Sequence, residues 1–158
     1  MLNNDILRSL RYSLSLNNKQ IMLLFNSSDI SLKTLDSYLA KDDDDCFKAL
    51  PDRLLGQFLD GLIKDRRGEK PISETSENKP EPAYKKPKLT NNEILKKIRI
   101  AMNYTEQDML ECFDKANFKL SKSQLSALFR KTEHRHYKEC KDQYLRAFLK
   151  GLAISQRG

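Results

Sequence analysis

The sequence predicts an all-α protein made of two homologous four-helix modules joined by a flexible linker, and three observations carry that prediction. Apolar residues three and four apart recur along the chain, the signature of helices with one buried stripe. Five Gly and five Pro are too few for the turns of a many-stranded sheet. Finally, the pattern occurs twice. Asn3-Asn4-Asp5-Ile6-Leu7-Arg8-Ser9-Leu10-Arg11 returns as Asn91-Asn92-Glu93-Ile94-Leu95-Lys96-Lys97-Ile98-Arg99 at an offset of 88. After a two-residue insertion near Asn117 the offset is 90, and Asp52-x-x-Leu55-x-x-Phe58-Leu59-x-Gly61-Leu62 returns as Asp142-x-x-Leu145-x-x-Phe148-Leu149-x-Gly151-Leu152. Residues 1–68 are therefore a first helical repeat and residues 91–158 a second.

In the first repeat, Ile6, Leu7, Leu10 and Leu14 mark a helix with Asn4 or Asn3 as its N-cap. A short second helix carries Ile21, Leu24 and Phe25, and a third begins after Ser31 with Leu32, Leu35 and Leu39 on one side. The fourth has the stripe Leu54, Leu55, Phe58, Leu59, Leu62 and Ile63, with Gly68 as C-cap. The second repeat follows with Ile94, Leu95, Ile98 and Met102, then Met109, Cys112 and Phe113, then Leu125, Leu128 and Phe129, then Tyr144, Leu145, Phe148, Leu149 and Leu152. Thr105-x-x-Asp108 reads as a capping box. Gly61 and Gly151 stand inside helices, where Gly costs ~1 kcal/mol relative to Ala, so each is expected to admit a neighbouring helix closely. Residues 69–90 hold Pro71, Pro80, Pro82 and Pro87 with little to bury, the composition of a disordered or extended linker. Its Lys85-Lys86-Pro87-Lys88 reads as a solubilising stretch rather than a tag.

No run approaches the ~18 apolar residues of a spanning helix, and the opening Met-Leu-Asn-Asn-Asp has no basic flank or long apolar stretch of a secretory signal, so a cytoplasmic protein without a membrane partner is expected. Cys46, Cys112 and Cys140 are odd in number and widely spaced, which argues for reduced thiols. The motif Asn-Asn-Asp-Ile-Leu-Arg-x-x-Arg-Tyr and the paired Asp-x-x-Leu-x-x-Phe-Leu-x-Gly-Leu segments resemble the YehS-like family of bacterial tandem-repeat proteins of unknown function, and the resemblance covers residues 3–68 and 91–158. It implies a bacterial, duplicated, cytoplasmic protein, and implies no reaction or catalytic residue. Two departures stand out: the linker is longer than is usual for the family, and the cysteine expected before the repeat's Asp is present as Cys140-Lys141-Asp142 but replaced in Leu50-Pro51-Asp52.

Catalytic chemistry finds no foothold. His134-x-His136-x-x-x-Cys140 offers zinc-type ligands without a fourth partner, and Asp42-Asp43-Asp44-Asp45 lacks the spacing and Gly of a calcium loop. There is no phosphate-binding Gly loop, Gly-x-Ser-x-Gly or His-Glu-x-x-His. The expectation is a non-enzymatic binding module with no catalytic residues, metal or cofactor.

Charge separates the copies. Residues 1–68 hold ten basic and ten acidic side chains, residues 69–89 five and four, and residues 90–158 fourteen and eight, which together give the net +7. The second copy gained Lys97, Lys122, Arg130, Arg135, Arg146 and Lys150 where the first has Ser9, Leu32, Ala40, Asp45, Gly56 and Asp60. These six are the expected contacts to an anionic partner, nucleic acid first or an acidic protein. The competing expectation is a protein-interaction or self-assembly module, in which Asp42–Asp45 faces the oppositely tending loop Thr132-Glu133-His134-Arg135 either within a chain or head-to-tail between chains of a homo-oligomer. Arg11 and Arg99, placed beside the buried stripes, are expected to pair with the acids common to both copies as Arg11–Asp52 and Arg99–Asp142.

Overall fold

A computed structural model describes residues 1–25, 30–67 and 89–157. It contains eight helices among the described residues: α1 (Asn3–Ser13), α2 (Asn18–Phe25), α3 (Leu32–Leu39), α4 (Asp52–Arg67), α5 (Asn91–Met102), α6 (Glu106–Lys115), α7 (Lys122–Leu128) and α8 (Asp142–Arg157). The all-α, duplicated reading holds. Each predicted stripe is largely buried, with two adjustments: Leu32 is 59 % exposed, and Leu14 lies beyond the end of α1 and is only partly covered. The Gly68 cap and the prolines of the linker lie outside the described residues.

Local chemistry sets the helix starts. Asn17 and Gln20 cap α2 reciprocally, each side chain accepting from the other's amide at 2.8 Å. Thr105 and Asp108 do the same for α6, as the capping box predicted. Ser31 and Ser121 cap α3 and α7 through the amides of Thr34 and Gln124. At the corresponding bends Ser15 and Asn103 take the left-handed conformation, φ 55° and 56°.

The expected Asn cap of α1 is not formed, because Leu2 occupies the N-cap position. Asn4 instead lies inside the first turn, 1 % exposed, and staples the extended chain that runs from α3 to α4. Its Nδ2 donates to Tyr38 O (2.9 Å) and Lys48 O (2.7 Å), and its Oδ1 accepts from Leu50 N (2.9 Å). Asn92 repeats each bond, to Leu128 O, Lys138 O and Cys140 N. One side chain thus satisfies three main-chain groups that no helix or sheet would otherwise pair.

The long helices form the centre. Within each repeat the second helix lies on the fourth, α2 on α4 and α6 on α8, while the first helix lies mainly along the fourth helix of the other repeat: α1 along α8, and α5 along α4. One apolar cluster runs through both repeats. Gly61 and Gly151 make the α2/α4 and α6/α8 approaches possible. A Cβ on Gly61 would sit 2.0 Å from Leu24 O, and one on Gly151 1.7 Å from Cys112 O.

The starts of α1, α4, α5 and α8 meet at one end. Asn3 Nδ2 donates to Asp52 Oδ1 (2.6 Å) and Leu50 O, and Leu89 N donates to Asp52 Oδ2 (3.1 Å). In the other half Asn91 Nδ2 donates to Asp142 Oδ1 (2.8 Å) and Cys140 O, and the Met1 amino group pairs with Asp142 Oδ2. These carboxylates face the positive ends of helix dipoles. Arg11 and Arg99 therefore do not reach them. Arg11 is exposed, with Asn18 Oδ1 at 3.5 Å, and Arg99 donates to Tyr104 O (3.2 Å) with its guanidinium 4.8 Å from the Phe129 ring. The amide donors take the acids because they are fixed by the helix starts, whereas the arginines sit a helix-length away at the opposite ends of α1 and α5.

The Met1 amino group, seconded by Asn91, holds the Asp142 carboxyl below its ordinary value of 3.8. A group that binds its proton less tightly when folded adds stability above the unfolded pKa and loses it as pH falls through the folded pKa. Urea titrations of Asp142→Asn are thus expected to show a shallower acid limb than those of the natural sequence between about pH 5 and pH 2. Superimposable limbs would show that Asp142 contributes no proton-linked stability.

Candidate functional site

The six cations singled out by comparing the repeats fall into three groups. Lys97, on α5, is taken by Asp60 of α4 in an ion pair across the repeats. Arg146 and Lys150 are exposed on α8 and stand away from any cleft lined by the others. Lys122, Arg130 and Arg135 come together. They line a cleft of about 660 Å³ between α7 and the chain leading to α8, with Ser123, Gln124, Ser126, His136, Tyr137 and Lys138 around them. No acidic side chain belongs to that lining.

The Asn92 staple builds this cleft. By holding Lys138 O and Cys140 N it pins the returning chain, and Lys138 N donates to Ala127 O (3.0 Å) at the end of α7. The preceding turn is closed by His134 N to Lys131 O (2.9 Å) and Tyr137 N to His134 O (2.9 Å), while His134 Nδ1 accepts from His136 N (3.0 Å). The turn projects Arg130, Arg135 and His136 into solvent from a fixed frame. Tyr137 also walls a smaller cleft of about 210 Å³ that holds Lys96 and Lys131 and shares Arg130. Burial, followed by the charge of Glu139, pushes the Tyr137 phenol up from 10.0, so it remains a hydroxyl donor at neutral pH.

At the matching position the first repeat has Leu32, Asp36, Ala40, Asp45 and Phe47 where the second has Lys122, Ser126, Arg130, Arg135 and Tyr137. The frame is common to both copies, Lys138 has a basic counterpart in Lys48 and Ser123 one in Lys33, and Lys122, Arg130 and Arg135 are cations of the second copy alone. A cluster of four exposed cations on this frame, with hydroxyl and amide donors beside them, suits phosphate or carboxylate oxygens.

The other candidates resolve differently. Cys140 is 1 % exposed, and burial first, then Asp142 and Glu139, pushes its thiol up to about 12, so it offers no thiolate beside His134 and His136. Among the described residues no group of three or more His, Cys, Asp and Glu forms a metal ligand set. Asp42–Asp45 and His134–Arg135 are exposed, and the repeats meet through α1/α8 and α4/α5 rather than through these loops. Among the described residues no helix is long and apolar enough to cross a membrane.

A family model described as "Protein of unknown function (DUF1456)" matches residues 3–68 and again residues 91–158. The chain belongs to the DUF1456 family. It is 37 % identical over 158 residues to the uncharacterized protein YehS of Escherichia coli (strain K12), a match that covers 99 % of this chain and 97 % of that protein. No solved structure matches. The two DUF1456 matches coincide with the two copies found by self-comparison, and the cleft lies wholly within the second DUF1456 unit.

Proposed function

We propose that the protein is a non-enzymatic binding module whose second DUF1456 unit holds an anionic partner, nucleic acid first, in the cleft between α7 and the chain leading to α8. The observation that supports this reading is the gathering of Lys122, Arg130, Arg135 and Lys138 around one cleft with no acidic residue in its lining, while the first unit has Leu32, Ala40 and Asp45 in place of the first three. Lysine and arginine contribute to nucleic-acid binding by neutralising phosphates and releasing counterions, so affinity falls steeply with salt. Tyr137, between two basic clefts, supplies a face on which a base of a single strand can stack. Arg146 and Lys150 extend the positive surface without lining the cleft.

The test is fluorescence anisotropy of the full chain with labelled mixed-sequence RNA and DNA over a range of salt. Lys122→Glu with Arg135→Glu is expected to weaken binding at least about tenfold at low ionic strength and to reduce the salt slope by about 2. Arg146→Glu with Lys150→Glu is expected to have the smaller effect. If the natural chain shows no salt-dependent binding at low ionic strength, the nucleic-acid reading fails and an acidic protein becomes the leading partner.

A further inference from the structure

We infer that the surface joining the two repeats is a selective recognition interface: each repeat accepts the other kind of repeat, from its own chain or from a second copy, and the second repeat discriminates against its own kind. The need for a partner follows from the packing. The stripe Ile6, Leu7 and Leu10 is covered along α8, and Ile94, Leu95 and Ile98 are covered along α4, so either repeat alone would expose the main apolar face of its first helix. The two junctions are built alike, with α1 beside α8 in one and α5 beside α4 in the other. Such an arrangement is geometrically open to self-pairing, because a repeat could offer its own fourth helix to the first helix of an identical copy.

Two contacts remove that degeneracy. Lys97 pairs with Asp60 across the α5/α4 junction. The counterpart of Asp60 is Lys150 and the counterpart of Lys97 is Ser9. Two second repeats would therefore bring Lys97 against Lys150 at both of their junctions, and two first repeats would set Ser9 against Asp60, which gains nothing. At the far end of the other junction Arg157 donates to Tyr12 O (3.0 Å) and Ser15 Oγ (2.8 Å), with its guanidinium 4.3 Å from the Tyr12 ring. The counterparts of Tyr12 and Ser15 are Ile100 and Asn103, so a pair of second repeats would lose the aromatic face and the hydroxyl together. Arg67 stands in the first repeat where Arg157 stands in the second, so the Tyr12 contact does not exclude first-repeat pairs. Selectivity falls on pairs of second repeats, through a repulsive element and the loss of these contacts.

The test starts from the folded full chain carrying a protease site within residues 69–88, cleaved after purification and examined by native mass spectrometry and sedimentation at low salt. The halves are expected to remain a 1:1 mixed pair. After exchange with an isotope-labelled preparation, labelled and unlabelled halves should recombine as mixed pairs without pairs of second repeats. Asp60→Lys is expected to weaken pairing about fivefold, because it places a lysine against Lys97. Lys97→Asp in the same chain should restore it, and if Asp60→Lys alone prevents folding, recovery by the double variant carries the same meaning. Halves that separate as folded monomers, second-repeat pairs as abundant as mixed ones, an Asp60→Lys chain that pairs normally, or a double variant that does not recover would each overturn the inference.

Discussion

Asn92→Leu is expected to destabilise the protein by about 4 kcal/mol. Leucine keeps the shape of asparagine and adds apolar atoms, yet it can neither donate to Leu128 O and Lys138 O nor accept from Cys140 N. A buried main-chain group left unpaired costs about 1–3 kcal/mol, and three are orphaned at once, with some relief as the exposed loop shifts towards water. Asn4→Leu should give at least a similar loss, since Asn4 binds Tyr38 O, Lys48 O and Leu50 N in the same pattern and is the more deeply buried of the two. Urea denaturation of both variants provides the measurement. A loss below about 1 kcal/mol at either site would mean that water replaces the staple freely. Asn92→Leu should also diminish anion binding, because the same three bonds frame the basic cleft.

Gly151→Ala comes second in size, with an expected loss of about 3 kcal/mol. Alanine in a helix interior is ordinarily favoured over glycine by about 1 kcal/mol, so the sign of the result is diagnostic. The added methyl would lie 1.7 Å from Cys112 O, a main-chain atom of α6 that can move only if the helix does. Separating α6 from α8 opens gaps around Phe113 and Phe148, whose ring centroids are 5.8 Å apart, and lost packing of that kind exceeds the helix gain. Gly61→Ala should act in the same direction through Leu24 O. Thermal and urea midpoints that rise in either variant would show that the helices are not in contact there.

The fold was readable because helical periodicity and internal repetition are both local in the sequence. Helix order, the buried stripes and the close approaches at Gly61 and Gly151 follow from spacing alone, since a glycine kept inside a helix against its propensity needs a packing reason. The roles of Asn4 and Asn92 were not readable in the same way. Their position at a helix start suggested a cap, and what they bind lies 34 to 48 residues away. A signal did exist: two adjacent asparagines occur in both copies, and one N-cap accounts for only one of them. Likewise Arg11 and Asp52 both recur in the second copy, but shared presence says nothing about distance, and amide donors at the converging helix starts reached the carboxylates first. For the site, substitution between the copies singled out six cations, of which only Lys122, Arg130 and Arg135 line one cleft. It could not tell that Lys97 faces Asp60, which lies on a helix of the other repeat, and it passed over Lys138, which is basic in both copies as Lys48, and Tyr137, which carries no charge.

The seating of α1 along α8 bears on how the chain is made. In synthesis from the N-terminus α1 emerges well before its main partner α8, and Tyr12 and Arg157, which meet at the end of that junction, are 145 residues apart. Contacts so distant in sequence form late and slow the overall reaction. During translation the apolar side of α1 therefore remains uncovered until α8 has emerged, an interval in which it is open to chaperones and to neighbouring nascent chains. Nascent chains arrested before residue 142 would hold α1 without its partner, and full protection of the amides of α1 would follow only once residues 142–157 have left the ribosome.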